Sequence, residues 1–162
     1  MKPLTDCIEM IGRLLLIAHD PSPNLQRLRR ALLDGARAGG PELDIGYVAA
    51  LQTNAQDVLQ SNAVMLLTPE NLGYMSGGMK DFFDRCYHPL LDRTQGLPYA
   101  LVVRAGSDGT GTRRAIESIC SGLKWKAVQA PLICRGGWRE QFVRQSRELG
   151  ETLAAGLEAG IF

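Results

Sequence analysis

The stretch AVMLLTPENLGYMSGGMKDFFDRCY, residues 63–87, joins a buried strand, a polar loop and an amphipathic helix in immediate succession. Residues 64–67 form an uninterrupted apolar run, which is typical of a parallel strand covered on both faces. Pro69 cannot donate to a sheet ladder, so we expect the strand to end there and a loop to occupy residues 68–78. The helix that follows is indicated by apolar residues at three- and four-residue spacing, namely Met79, Phe82, Phe83, Cys86 and Tyr87.

The rest of the chain repeats this order of strand and helix. The sequence predicts five strands: apolar runs indicate those at residues 14–18, 63–68, 99–104 and 130–134, and alternating residues indicate a half-buried edge strand at 44–51. Helical spacing predicts further helices at residues 25–38, 112–123 and 139–157, a short helix or turn at 54–60, and a loop at 88–96 with Pro89 as a breaker. Alternation with the strand first implies a parallel sheet with helices on both faces, an α/β three-layer doubly wound fold.

Three of the turns that follow strands are conspicuously polar. They occupy residues 19–24, 68–78 and 105–111. In a five-stranded sheet ordered 2-1-3-4-5, the turns after strands 1, 3 and 4 lie at one edge, around the point where the strand order reverses, and ligands bind there. We therefore predict this strand order and a ligand site built from the three turns.

Composition limits the classes of protein that this chain can belong to. A chain of 162 residues with 45% apolar content is expected to form a single domain, residues 1–162, with a frayed amino terminus at residues 1–12. The formal charge of +1 gives no reason to expect a nucleic acid or a membrane as partner. No run of apolar residues is long enough to span a bilayer.

The cysteines indicate a reducing compartment. Cys7, Cys86, Cys120 and Cys134 fall in four separate segments without a C-x-x-C pair, which fits neither a zinc site nor a secreted disulfide framework. The amino-terminal residues carry Asp6 and Glu9 and do not read as a signal peptide. We expect reduced, buried thiols and a cytoplasmic location.

The loop after the third strand carries a resemblance to a known family. Residues 68–85, TPENLGYMSGGMKDFFDR, resemble the "TPxYxGxMSGxxKxFxDR" segment of NAD(P)H-dependent FMN reductases and flavodoxin-like oxidoreductases. The likeness extends from Leu14 to about Leu157 and implies a flavodoxin-like fold. In that family the segment wraps the isoalloxazine ring, which implies flavin contacts from Thr68, Pro69, Glu70, Asn71, Leu72, Gly73, Tyr74 and Met75. The glycine-rich stretch AGSDGTG resembles the second ring-binding loop, and implies contacts from Ala105, Gly106, Ser107 and Gly109.

The first turn matches the family only in part. In the family, the turn after strand 1 has the approximate sequence S-x-S/T-G-N-T and holds the FMN phosphate at the amino terminus of a helix. The resemblance implies cofactor contacts from His19, Ser22, Asn24 and Leu25. The family has a hydroxyl, a glycine and a hydroxyl where this chain has Asp20, Pro23 and Leu25. The prolines at positions 21 and 23 have no N–H to donate, and the carboxylate of Asp20 would face the phosphate unless it turned away.

The resemblance implies an FMN-dependent oxidoreductase that takes a hydride from NAD(P)H and passes electrons to a quinone, a flavin or another small acceptor. The flavin would perform the chemistry, so no catalytic side chain and no metal are expected. The family is commonly oligomeric, which implies a homodimer or homotetramer. The departures at the first turn keep an alternative open: a non-enzymatic flavodoxin-like electron carrier, or a flavin-free binding or assembly module.

Several polar residues have a second interpretation. His19 beside Asp20 suggests a general-base pair, although a cap or a surface position is the more common role of residues at a helix start. Tyr74 can cover a flavin or pack on a partner chain, and Trp138 is expected to pack in the core or an interface. Arg113 and Arg114 can meet an NADP phosphate, but two arginines on a helix are usually solvated.

Overall fold

The computed structural model describes residues 12–162. Almost the whole segment predicted to be frayed, together with Cys7, therefore lies outside the described residues. The strands are β1 Arg13–Ala18, β2 Asp44–Ala49, β3 Ala63–Asn71, β4 Tyr74–Met75, β5 Pro98–Ala105, β6 Lys126–Ala127 and β7 Leu132–Arg135. The helices are α1 Pro23–Gly39, α2 Ala55–Leu59, α3 Gly77–Leu90, α4 Thr110–Gly122 and α5 Gln141–Glu158.

The main sheet is parallel and runs in the order β2-β1-β3-β5, with β6 and β7 both paired to the far side of β5. This confirms the predicted order 2-1-3-4-5: β7 corresponds to the fifth predicted strand, residues 130–134, and the short strand β6, which lies outside the predicted range, is divided from it. The division falls at residues 128–131, where Pro131 interrupts the ladder. β2 lies at the edge of the sheet and is only half buried along its length, as its alternating sequence predicted.

Each face of the sheet carries its own layer of helices. Alternate residues of β1 and β3, such as Leu15 and Leu66, pack with apolar side chains of α3 and α4, whereas Leu16 and Met65 pack with those of α1 and α5. All four of these strand residues are completely buried. The saturated apolar runs are thus explained by cover on both faces, and the doubly wound architecture is confirmed.

The predicted end of β3 at Pro69 is wrong, because the strand continues to Asn71. The carbonyl of Leu67 accepts a hydrogen bond from the amide of His19, at the point where β1 ends. Pro69 lies two residues further and presents its nitrogen to the same side of the strand, where no neighbouring ladder remains. The missing N–H therefore breaks no ladder bond, and Pro69 keeps its pairing with Arg104 of β5 on the other side.

The loop predicted to start at His88 is also wrong, because α3 continues to Leu90 with Pro89 inside its last turn. A proline there removes a single helical hydrogen bond next to the helix end. α3 also starts two residues earlier than predicted, because the buried side chain of Ser76 caps it by accepting from the amide of Met79.

The three cysteines within the described residues are free and buried, as expected. Burial raises the pKa of each thiol, that of Cys134 to about 11. Among the helices of residues 12–162, none is long and apolar enough to cross a membrane.

Candidate functional site

The three polar turns meet at the carboxyl end of the parallel sheet. We call them the first turn, residues 19–25 after β1; the hairpin, residues 69–75 formed by the end of β3 with β4; and the second loop, residues 105–109 after β5. Nδ1 of His19 lies 2.8 Å from Oγ of Ser76, immediately after the hairpin. The carboxylate of Glu70 accepts from the amide of Ser107 at 3.3 Å. Direct hydrogen bonds therefore join the first turn to the end of the hairpin and the hairpin to the second loop.

The hairpin is a two-residue turn with an exposed apolar tip. Glu70 pairs with Met75 and Asn71 with Tyr74, in antiparallel register. The two tip residues, Leu72 and Gly73, have φ values of 54° and 74°, as a type I′ turn requires. A leucine in the left-handed region is strained, and the side chain of Leu72 is fully exposed. Sequence reading treated residues 68–78 as an open loop and missed this hairpin, because the turn lacks the Asn-Gly or Asp-Gly pair that signals a type I′ turn.

The hairpin packs directly against the start of α4. A Cβ atom built on Gly111 would lie 2.0 Å from the carbonyl oxygen of Gly73, so only a glycine permits this approach. Gly109, at φ 72°, caps α4, and Asp108 accepts from the amide of Thr110 at 3.0 Å. That hydrogen bond lowers the pKa of the Asp108 carboxyl. The part of the second loop next to α4 is therefore fixed in place.

Gly106 and Ser107 form the open part of the second loop. Both are exposed, and no atom lies within 4 Å of the position that a Cβ of Gly106 would occupy. The adjacent Ala105 is completely buried. A planar ligand entering between the hairpin and the second loop would meet Gly106 first and would have to replace or lie beside the hydrogen bond between Glu70 and Ser107.

Buried hydroxyls tie the hairpin to β1. Oγ1 of Thr68 lies 3.1 Å from Oγ of Ser76 and accepts from the Ser76 amide at 3.3 Å, and both residues are completely buried. The imidazole of His19 lies on the first turn of α3, where a Cβ on Gly78 would come within 2.6 Å of its ring. Thr68 is therefore occupied in holding the hairpin, and its backbone lies in a strand under the site.

The suggested general-base pair of His19 and Asp20 does not form. Asp20 turns away from His19, and its carboxylate accepts from Nε of Arg29 at 2.6 Å and from the hydroxyl of Tyr47 at 3.3 Å. The guanidinium of Arg29 also stacks over the Tyr47 ring at 4.7 Å. Burial, followed by the negative charge of Asp20, raises the pKa of Tyr47. Sequence spacing could not reveal this cluster, because its members belong to β2, α1 and the first turn.

The first turn offers few groups that could hold a phosphate. The hydroxyl of Ser22 caps α1 by accepting from the amide of Leu25 at 3.3 Å. The side chain of Leu25 is 3% exposed and packs in the core against α5 and the sheet, so it is not available to a ligand. Asn24 is exposed, and Pro23 occupies the first helical position without an N–H. These residues do not fit a phosphate group, whereas the open backbone at Gly106 suits a flat ring.

Other residues singled out from the sequence have structural roles. The guanidinium groups of Arg27 and Arg104 lie 5.4 and 5.9 Å from the centre of the Trp138 ring, and the indole N–H donates to Glu140. A bidentate pair with Arg27, followed by that indole bond, lowers the pKa of Glu140 to about 2. Arg113 pairs with Glu117 on α4, and Arg114 is exposed on the same helix. Within residues 12–162, no group of acidic, histidine or cysteine side chains could hold a metal ion.

Comparison with known proteins agrees with this architecture. No family model matches the chain. It is 27% identical over 114 residues to a flavodoxin of Aquifex aeolicus (strain VF5), a match that covers 70% of the chain and 60% of that protein, so the chain spans less than two thirds of its length. Among solved structures, a flavodoxin from the domain Archaea superposes with a TM-score of 0.77 at 14% identity, covering 90% of this chain and 99% of the other. A flavodoxin, WrbA-like protein from Agrobacterium tumefaciens superposes with a TM-score of 0.71 at 12% identity, covering 92% and 98%. The fold is flavodoxin-like.

Proposed function

We propose that this chain is a flavin-dependent oxidoreductase that takes a hydride from NAD(P)H and passes electrons to a quinone, a flavin or another small acceptor. The observation that carries the proposal is the junction of the hairpin with the second loop, where the exposed backbone of Gly106 faces open space at the carboxyl end of the sheet. This is the position at which α/β sheets of this type bind ligands. The similarity to a flavodoxin and to a WrbA-like protein supports a flavin such as FMN as the ligand.

The protein would contribute placement and shielding, while the bound flavin supplies the redox chemistry. The amide of Gly106 offers a donor at the open part of the second loop, and the Ser107 amide and the Glu70 carboxylate would become available to the flavin if their mutual hydrogen bond opened. Tyr74, which is 40% exposed, provides a ring that can cover a flat ligand. The hydroxyls of Thr68 and Ser76 hold the base of the hairpin together, and the contact of Ser76 with His19 links the hairpin to the first turn.

We also propose that the chain works as a homodimer or homotetramer in the cytoplasm. Three of its large exposed apolar side chains, Leu51, Leu72 and Tyr74, follow strands at the carboxyl end of the sheet, where a second copy could cover them. The free, buried cysteines suit a reducing compartment. Light scattering after size exclusion measures the mass of the particle, and a monomer at micromolar concentration would contradict the oligomer.

The function is tested by flavin titration followed by rapid mixing with a reduced nicotinamide. Purified protein is titrated with FMN and with riboflavin under fluorescence detection, and the complex is then mixed anaerobically with NADH or NADPH. We expect flavin absorbance to bleach on mixing and to return when a benzoquinone is added. A complex that binds flavin but is reduced by neither nucleotide would exclude the reductase.

A second candidate function is a flavodoxin-like electron carrier or a flavin-free module; the first turn favours the flavin-free module, and the near-neutral charge of the chain argues against the carrier. Asp20, Pro21 and Pro23 leave this turn poorly equipped for the phosphate that anchors FMN. A carrier would bind flavin and exchange electrons with a chemical reductant, but would not oxidise NADH or NADPH. A flavin-free module would bind neither FMN nor riboflavin, so the same titration separates the candidates.

A further inference from the structure

We propose that this site takes flavin without its phosphate, so that riboflavin binds at least as well as FMN. The inference rests on the proposed function, because it concerns the form of flavin that the same crevice accepts. It follows from the hydrogen-bond donors and the charges of the first turn, where the structure disagrees with a phosphate anchor.

The first turn has too few free donors for a phosphate. Of its seven residues, 19–25, Pro21 and Pro23 have no N–H, the amide of His19 donates to the carbonyl of Leu67, and that of Leu25 donates to Oγ of Ser22. Three amides are left, those of Asp20, Ser22 and Asn24, and the Ser22 hydroxyl is the single alcohol in the turn. A phosphate has three terminal oxygens, each of which can accept more than one hydrogen bond, so these few donors would leave it only partly coordinated.

The charges near the turn oppose a phosphate as well. A phosphate monoester carries a charge of about −1.5 to −2 at neutral pH. Asp20 adds a carboxylate within the turn, and its side chain is only 11% exposed, so water screens it weakly. Two arginines on the adjoining part of α1 are held by carboxylates, since Arg29 pairs with Asp20 and Arg27 pairs with Glu140, and the third, Arg30, donates to the carbonyl of Gln26 on its own helix. His19 is directed to Ser76 and Gly78 on α3.

A neutral ribityl chain makes smaller demands on the same turn. It needs neither a cation nor a set of amides, and single hydrogen bonds from the Ser22 hydroxyl or the Asn24 amide are enough for its alcohols. The affinity for flavin would then come from the ring, at the hairpin and the second loop. The chemical class of ligand that fits is a phosphate-free flavin.

The test compares three flavins on the unmodified chain by fluorescence titration: riboflavin, FMN and lumiflavin, which has the ring alone. We expect riboflavin to bind with a Kd equal to that of FMN within about threefold, or lower. FMN binding more than about tenfold tighter than riboflavin would overturn the inference and leave the proposed function standing. If none of the three binds, the proposed function fails, and the inference fails with it.

A charge-neutral variant locates the discrimination at the first turn. Asp20→Asn removes the carboxylate and frees Arg29, so FMN should gain about threefold to tenfold in affinity relative to riboflavin. Asp34→Asn is the matched control, because it removes an exposed carboxylate from α1, outside the first turn, and should leave the ratio of the two Kd values unchanged. An unchanged ratio in Asp20→Asn would contradict repulsion by Asp20. The salt dependence of FMN binding is a second test and needs no variant. Added salt should screen the repulsion between Asp20 and the phosphate and so improve FMN binding, whereas a loss of FMN affinity with salt would show that a cation holds the phosphate.

Discussion

Gly106 is the residue at which the ring site can be tested with the least disturbance of the fold. Its backbone is exposed, no atom lies within 4 Å of its absent Cβ, and its φ is not positive. A valine there should lower flavin affinity by at least about tenfold through steric exclusion, while the free energy of unfolding changes by less than about 0.5 kcal/mol. Gly73 is a poorer choice, because its φ of 74° adds backbone strain to any side chain.

Gly137→Val is the matched control for Gly106→Val. Gly137 is also exposed, has no neighbour within 4 Å of its absent Cβ, and lies after β7 outside the three turns. Flavin titration and urea unfolding of both variants complete the comparison. Equal flavin affinity in Gly106→Val and the parent would remove the second loop from the site.

The side chain of Ser76 connects three parts of the candidate site: the start of α3, the first turn and the end of β3. It caps α3, and its hydroxyl lies within hydrogen-bond distance of both His19 and Thr68. Ser76→Ala should therefore destabilise the fold by about 1–3 kcal/mol, combining the loss of a cap with unpaired buried polar groups. Urea unfolding measures the change, and Ser107→Ala, at an exposed position, should stay within about 0.5 kcal/mol of the parent. A cost in Ser76→Ala as small as that of Ser107→Ala would show that the network contributes nothing.

Individual residues also show where sequence reasoning stopped. Asp20 was correctly identified as a departure from a phosphate-binding turn, but its partners Arg29 and Tyr47 are brought to it by tertiary structure. Leu25 was assigned to the site because it aligns with a hydroxyl position, whereas its apolar side chain belongs to the core. A motif places a residue along the chain, and burial then decides whether its side chain is available.

The contact between α1 and α5 depends on glycines that let the two backbones approach. A Cβ on Gly35 would lie 1.9 Å from the carbonyl oxygen of Arg147, and one on Gly150 would lie 2.3 Å from that of Leu32. Both collisions involve backbone atoms, so a rotamer change cannot relieve them. The face of the sheet that carries the first turn is therefore covered by a helix pair that tolerates little change.

Gly35→Ala tests this helix pair, because close contact and helix propensity predict changes of opposite sign in the free energy of unfolding. Alanine is favoured over glycine in a helix interior by about 1 kcal/mol, so without crowding the change would stabilise the protein. We expect instead a loss of about 1–3 kcal/mol in urea unfolding, because the helices must separate. Gly77→Ala, in the first turn of α3 with open space around it, is the control and should not destabilise. A stabilised Gly35→Ala variant would contradict the close contact.

The helices and strands were predictable wherever a periodic apolar pattern decided them. β1, β3 and β5 were found because runs such as residues 64–67 suit only a strand covered on both faces. The errors fall at prolines: Pro69 and Pro89 were read as breakers, yet each lies where its missing N–H costs little. The hairpin was missed because Leu72 adopts a conformation that leucine rarely takes.

The strand order was predicted for the molecule as a whole from five alternations of strand and helix together with the positions of the three polar turns. That order also brings the three polar turns to one edge, so the location of the site followed from the topology. The direct contacts between hairpin, second loop and α4 did not follow, since they depend on Glu70 and Gly111 meeting partners that are distant in sequence.

Flavin binding should stabilise the entire fold, because the three turns extend from β1, β3 and β5, which are adjacent in the sheet. A ligand held by these turns can bind only when the strands are assembled, so its binding free energy adds to the stability of the folded state. At a flavin concentration of 100 times Kd the gain is about 2.7 kcal/mol. For a chain of this length, each kcal/mol raises Tm by about 2–4 °C, so riboflavin should raise Tm by about 5–10 °C.

FMN at the same multiple of its own Kd should raise Tm equally, whereas Gly106→Val should show no shift at the concentrations that saturate the parent. Thermal unfolding followed by circular dichroism makes the measurement. If fluorescence reports saturation while Tm stays constant, the flavin binds the unfolded chain equally well, and the crevice at the carboxyl end of the sheet is not its site.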